Sequence, residues 1–167
     1  MNFYDAMKVL LTGSTGQLGN ALKIASPKGI QLLTPNKDQL DLTDIKGCFD
    51  YVNKIRPDFI INSAAYTNVD SAESFRKESF LINRDAPKAF AEALRNYDGQ
   101  LIHISTDYVF DGENNKPYLT EDKPNPLSIY GKSKAEGESE ILKILGKTNK
   151  VIILRTSWLY SYFRNNF

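Results

Sequence analysis

A chain of 167 residues with 41% hydrophobic content is long enough for one domain with a sizeable core and short for two. Its 21 Lys and Arg against 20 Asp and Glu, with no basic block, argue against nucleic acid or an anionic membrane surface and favour a small-molecule partner. The single cysteine, Cys48, excludes an internal disulfide framework, no Cys/His cluster offers a metal site, and neither a signal peptide nor a membrane-length apolar run is present, so a cytoplasmic protein is expected.

Lys8 to Thr12 (KVLLT) predicts a short strand buried on both faces. It runs into Gly13-Ser14-Thr15-Gly16-Gln17-Leu18-Gly19, and a helical pattern follows through Leu22, Ile24 and Ala25. Strand, glycine loop and helix together make the context a phosphate cradle needs. Glycines permit a tight turn and close backbone approach, and a helix N-terminus offers free N–H groups to a pyrophosphate. The spacing is G-x-x-G-x-x-G, not the G-x-G-x-x-G of many dinucleotide-binding loops.

Gly29 to Thr34 (GIQLLT) predicts the second strand, closed by Pro35. No acid stands at its tip in Thr34-Pro35-Asn36-Lys37-Asp38, where one would bind the ribose 2′-hydroxyl of NAD, so NADPH is favoured over NADH. Thr43 is the expected N-cap of a helix carrying Ile45, Cys48, Phe49, Val52 and Ile55 on one face, with Cys48 toward the core. Pro57 ends that helix, and Asp58 to Asn62 (DFIIN) predicts a third buried strand.

The small residues of Ser63-Ala64-Ala65-Tyr66-Thr67 directly after that strand would let a cofactor lie close over the sheet edge. A helical stretch from about 71 to 97 is expected to break near Asn83 and Pro87, with Phe80, Leu81, Phe90, Ala93, Leu94 and Tyr97 as its buried stripe. Gln100 to Ser105 (QLIHIS) predicts the fourth strand, and alternation points His103, the one histidine, at a sheet face as a structural residue. Thr106 follows at the strand's carboxyl end, where its hydroxyl can donate to a substrate carbonyl. Glu113 to Pro126 is a polar loop with three prolines, suited to the rim of a pocket.

Ser128 to Glu138 (SIYGKSKAEGE) then places Tyr130 and Lys134 four apart at a helix start, on one face. A nearby ammonium lowers the cost of ionising a phenol, and a phenol so tuned can hand a proton to a carbonyl oxygen. The helix is expected to run to about Leu145, burying Ile141, Leu142 and Leu145, before a fifth strand at Lys150 to Arg155 and the segment Thr156-Ser157-Trp158-Leu159-Tyr160. Strands alternating with helices imply an α/β fold: a doubly wound, mostly parallel sheet with helices on both faces.

TGSTGQLG, DLTD, PDFIINSAAYTNVDSAE, STDYVFDG, YGKSKAEGE and LRTSWLY, in this order, resemble the dTDP-4-dehydrorhamnose reductases, a family of extended short-chain dehydrogenases with a Rossmann-like fold. The resemblance covers nearly the whole chain. It implies NAD(P)H-dependent reduction of the 4-keto group of dTDP-4-dehydro-L-rhamnose, a dTDP-sugar, in making a polysaccharide precursor. Tyr130 would protonate the carbonyl oxygen, Lys134 would lower the tyrosine's pKa and hold the nicotinamide ribose, and Thr106 would polarise the carbonyl. Gly13, Thr15, Gly16, Gln17 and Leu18 would hold the pyrophosphate, Asp41 and Leu42 the adenine side, and Ala64, Ala65, Tyr66 and Thr67 the middle of the cofactor. Asp107, Tyr108 and Trp158 would meet the sugar.

Family members continue past Asn165-Asn166-Phe167, so the resemblance implies a NAD(P)-binding domain over 1–167. The substrate-binding region would start at about 156–167 and be largely missing. Some members form a magnesium-bridged homodimer through a glutamate just after the glycine loop; Asn20-Ala21 stands there in this chain, which speaks against magnesium while leaving a homodimer open. Two other readings share the fold. Dehydratases and epimerases act on sugar nucleotides, but the dehydratases carry a glutamate where Tyr108 stands. A regulatory subunit like that of methionine adenosyltransferase would bind NADP without turnover, and would have no use for Thr106, Tyr130 and Lys134 together.

Overall fold

The computed structural model of the chain describes residues 6–163; the opening residues 1–5 and Asn165-Asn166-Phe167, on which two of the expectations above rest, lie outside them. Five strands, β1 (Met7–Thr12), β2 (Ile30–Leu33), β3 (Phe59–Asn62), β4 (Gln100–Thr106) and β5 (Val151–Thr156), form one parallel sheet in the order β2-β1-β3-β4-β5. Among the described residues six α-helices connect them: α1 (Gln17–Ala25), α2 (Ile45–Ile55), α3 (Val69–Ser74), α4 (Arg76–Phe80), α5 (Ala86–Leu94) and α6 (Ile129–Leu145). No helix among the described residues is long and apolar enough to cross a membrane.

The main core lies on one face of the sheet. Leu10, Ile60 and Leu101, facing the same way from adjacent strands, pack with Val52 of α2, Phe90 and Leu94 of α5, and Ile141 and Leu145 of α6. Full burial of each such side chain is worth about 1.5–3 kcal/mol, which makes this the dominant stabilising layer. Alternate residues face the other way, and there Val9 and Leu11 are also buried. Right-handed crossovers put α1 on that second face, because β1 to β2 runs across the sheet in the direction opposite to every later step.

Local signals account for most boundaries, with three corrections. Thr43 does not cap α2. Asp41 accepts both the N–H and the hydroxyl of Thr43, at 2.9 and 2.8 Å, so the next acid, Asp44, becomes the N-cap and accepts from Gly47 N at 2.9 Å. Leu142 is 48% exposed, since Ile141 and Leu145, one turn apart, already take the sheet-facing positions of α6. The predicted break near Asn83 is a π-helical turn at Leu81–Asp85, with Pro87 in the first turn of α5. The extra residue in that turn rotates the buried stripe, so Ser79 and Asn83 take buried positions while Phe80 and Leu81 are half-buried, as is Tyr97. Cys48 is buried as expected, and burial pushes its thiol up to about 12.

Candidate functional site

The strand order reverses direction between β1 and β3, and in such sheets the crevice at the carboxyl ends of those two strands is where ligands bind. Thr12 and Asn62 end the two strands side by side. The loops beyond them are tied together: Ser63 Oγ donates to Thr12 O at 2.6 Å, and Ala64 N donates to Thr12 Oγ1 at 3.3 Å. Gly13 has φ 67° and a Cβ there would lie 2.6 Å from Ala64 N, so only glycine lets the loops meet.

Gly16 is different. A Cβ on it would press on Gly13 O at 3.2 Å, a tight contact that a small shift relieves, so packing demands glycine far less here than at Gly13. It is also the N-cap of α1 and gives that helix no side-chain cap. A helix N-terminus with no side-chain cap behind a glycine-containing loop suits the phosphates of a dinucleotide, and the loop fits that group.

The crevice is a trough of about 420 Å³ whose walls include Gly13, Thr15, Asp41, Leu42, Ala64 and Ala65 from the expected cofactor set. Pro35, Asn36 and Lys37 close it at the tip of β2. Gly16, Gln17 and Leu18 stand at the start of α1 and are not among its lining residues. Tyr66 lines neither this trough nor the depression beside it; its backbone N–H and C=O are held by the Asn83 carboxamide at 2.9 and 3.1 Å.

Ala65 is shared with a second depression of about 330 Å³, lined by Thr106, Asp107, Tyr108, Tyr130, Lys134 and Trp158 among others, with Thr67 at its edge. The structure therefore gathers the three expected catalytic and three expected substrate residues around one space. Register puts Thr106 at the carboxyl end of β4, beside Thr156 of β5. Its hydroxyl donates to Asp107 Oδ1 at 3.0 Å and accepts from Tyr108 N at 3.2 Å. Tyr130 lies in the first turn of α6, which Ser128 caps through Gly131 N at 3.0 Å, and the Tyr108 ring meets it edge to face at 5.6 Å. Trp158 sits on the rim, 71% exposed, with a left-handed backbone at φ 51°.

One expectation needs correction. Burial raises the Tyr130 phenol; hydrogen bonding with Thr106 opposes that, Asp107 and Tyr108 add to it, and Lys134 is not among the causes. The Lys134 amine is turned elsewhere: Nζ donates to Ile104 O at 2.6 Å and lies 3.4 Å from His103 Nε2. Lys134 is 1% exposed, and burial brings its pKa down to about 8 despite the nearby Glu138.

Sequence reasoning passed over the residues that hold this helix in place. Asn83, from the π turn, donates to Ser133 Oγ at 2.9 Å, and Ser133 Oγ donates to Tyr130 O at 2.7 Å. Glu73 of α3 accepts from Ile129 N, the first residue of α6, at 2.8 Å. A polar Asn83 directly after the apolar run Phe80-Leu81-Ile82 was the available signal, since a buried carboxamide needs partners.

A family description, RmlD substrate binding domain, matches residues 7–167. The dTDP-4-dehydrorhamnose reductase of Sinorhizobium fredii is 41% identical over 161 residues, covering 96% of this chain and 53% of the relative. That of Aggregatibacter actinomycetemcomitans is 40% identical over 162 residues, covering 96% and 54%. The chain thus spans about half the length of the curated relatives it matches. A solved structure of dTDP-4-dehydrorhamnose reductase from Bacillus anthracis in complex with NADP superposes with a TM-score of 0.89 at 40% identity, over 96% of this chain and 57% of that one.

Proposed function

The chain belongs to the RmlD substrate binding domain family, and on that premise we propose that it supplies the cofactor site and the proton donor of an NADPH-dependent dTDP-4-dehydrorhamnose reductase. The observation that carries this reading is the grouping of Thr106, Tyr130 and Lys134 around one depression that joins the glycine-loop crevice at Ala65.

A reduced nicotinamide, when bound, supplies hydride to a carbonyl carbon. Gly13, Thr15, Gly16, Gln17 and Leu18 hold the pyrophosphate at the start of α1, Asp41 and Leu42 the adenine side, and Ala64, Ala65, Tyr66 and Thr67 the middle. Lys37, at the tip of β2 where no acid stands, offers its cation to the extra phosphate of NADPH. Tyr130 gives its proton to the keto oxygen, and Thr106 donates a hydrogen bond to the same atom, releasing Asp107 for the sugar hydroxyls. Lys134, charged below about pH 8, holds ribose hydroxyls from the wall of the depression. Tyr108 and Trp158 provide aromatic walls for the sugar.

The chain alone is expected to bind NADPH and to turn over poorly, because an open depression neither excludes water nor fixes the sugar's keto carbon. The test is a chimera of this chain with the carboxyl-terminal half of the Bacillus anthracis reductase, assayed for NADPH oxidation with dTDP-4-dehydrorhamnose. Tyr130→Phe should leave NADPH affinity unchanged and cut turnover by about 10²–10⁴-fold. A wild-type chimera that binds NADPH but never reduces the sugar removes the reductase reading and leaves a cofactor-binding regulator.

A further inference from the structure

Thr12, Asn62 and His103 are register partners on β1, β3 and β4, so their side chains form one polar row on the sheet face that α6 covers. All three are buried, at 3%, 1% and 0% exposure. Thr12 Oγ1 donates to Asn62 Oδ1 at 2.6 Å, Asn62 Nδ2 lies 3.0 Å from His103 Nδ1, and His103 Nε2 lies 3.4 Å from Lys134 Nζ. The row leads from the loop contact at Ala64 N to the amine of the active-site helix. A buried imidazole needs a partner for each nitrogen, and here those partners are the Asn62 carboxamide and the Lys134 amine.

We propose that His103 is a positioning residue for Lys134: anchored through Asn62 and Thr12, its imidazole holds the amine against Ile104 O and changes tautomer with the charge of that amine. The importance of Lys134 rests on the reductase reading; the contact itself does not. The imidazole stays neutral, since burial first and Lys134 second push its pKa well below the ordinary value. When Lys134 is an ammonium, all its hydrogens are donors, so Nε2 must be bare and Nδ1 carries the proton, which requires the Asn62 carboxamide to flip, turning Oδ1 to Nδ1–H and Nδ2 to Thr12 Oγ1. When the amine is neutral its lone pair can accept from Nε2–H, and Nδ1 then accepts from the carboxamide N–H. Deprotonation releases one proton to solvent, and the imidazole keeps one proton throughout, on the other nitrogen. The other charged or titratable groups nearby are Glu138, Arg155, Tyr130 and Asp107. Glu138 is held by Arg155 at 2.7 Å and accepts from Ser105 Oγ.

The experiment is NMR on the 167-residue chain. Lys134 is followed by its side-chain ¹³Cε shift and His103 by its imidazole ¹⁵N shifts, from pH 6 to 10. In wild type the two ¹⁵N shifts should exchange character with the Lys134 midpoint and not at an ordinary histidine midpoint. His103→Phe should lower the Lys134 midpoint by roughly one pH unit, the size of one lost hydrogen bond to a charged group, and His103→Gln should restore most of it. Imidazole ¹⁵N shifts that stay constant through the Lys134 titration overturn the proposal whether or not the variants fold, as does an unchanged Lys134 midpoint in folded His103→Phe. Neither readout uses cofactor or turnover, so failure here and failure of the reductase assignment are separable.

Discussion

Gly137 of α6 lies directly against the backbone carbonyl of Asn83 in the π turn; a Cβ on Gly137 would overlap that oxygen. The close approach brings the Asn83 carboxamide within reach of Ser133 and of the Tyr66 backbone, so one missing side chain lets the π turn grip the Tyr130 helix. Gly137→Ala should therefore destabilise the chain by about 1–3 kcal/mol, the usual range for overpacking, although alanine is the better helix former. Urea unfolding followed by circular dichroism measures this. A variant as stable as wild type would mean that the two helical segments separate at no cost.

Gly16 is less crowded, the nearest atom to a Cβ there being Gly13 O at 3.2 Å. Gly16→Val should still fold, at some cost in stability from the tight contact with Gly13 O, and lose most of its affinity for NADPH, as the new side chain fills the place of the pyrophosphate. Fluorescence titration of the reduced cofactor decides it; unweakened binding by a folded variant would move the phosphates away from this loop.

Lys37 closes the trough at the tip of β2. Lys37→Glu should weaken NADPH by about tenfold or more, as repulsion of the 2′-phosphate replaces attraction, while NADH is unchanged or improved. Parallel titrations with the two cofactors check it. An equal change for both would place Lys37 outside cofactor choice.

The buried neutral His103 has a definite consequence for acid stability. Its folded pKa lies below its unfolded value, 6.5, so below that pH the unfolded chain binds the extra proton and the folded chain does not. The linkage is then destabilising on acidification: stability should fall by up to about 1.4 kcal/mol per pH unit as pH drops below 6.5, over the range in which His103 stays neutral in the fold. Urea midpoints at pH 5 and 7 for wild type and His103→Gln measure it. The variant should lose this part of the pH dependence, and identical slopes in the two proteins would contradict it.

Strand β5 pairs with β4 on one side only among the described residues, and Ile152 and Leu154 on it are 55% and 45% exposed. An apolar edge strand of this kind favours association. The 167-residue chain should self-associate with rising concentration, and Ile152→Lys with Leu154→Glu should suppress it. Light scattering over a concentration series reads this directly, and a monodisperse wild-type monomer at high concentration would argue against the edge as a contact.

Much of the architecture was legible in the sequence because its causes are local. The apolar runs KVLLT and QLIHIS, Gly13, Pro57 and Ser128 each act within a few residues, and each marks the element it predicted. The i, i+4 spacing of Tyr130 and Lys134 put both on the helix that borders the second depression. What the spacing did not determine is where the lysine points. Sharing a helix face set both residues beside one depression, but Ile104 O and His103 Nε2 are the groups the amine meets. Those partners come from β4, some 30 residues away in the chain, and the row Thr12-Asn62-His103 behind them exists only through the parallel register of three strands. Asn83 likewise reaches Ser133 only because a π turn rotates it inward and Gly137 lets the helices touch. Short-range sterics and periodicity are written in neighbouring residues, whereas the direction of a buried polar group is set by whichever partners packing brings to it, and those were decided by the tertiary structure.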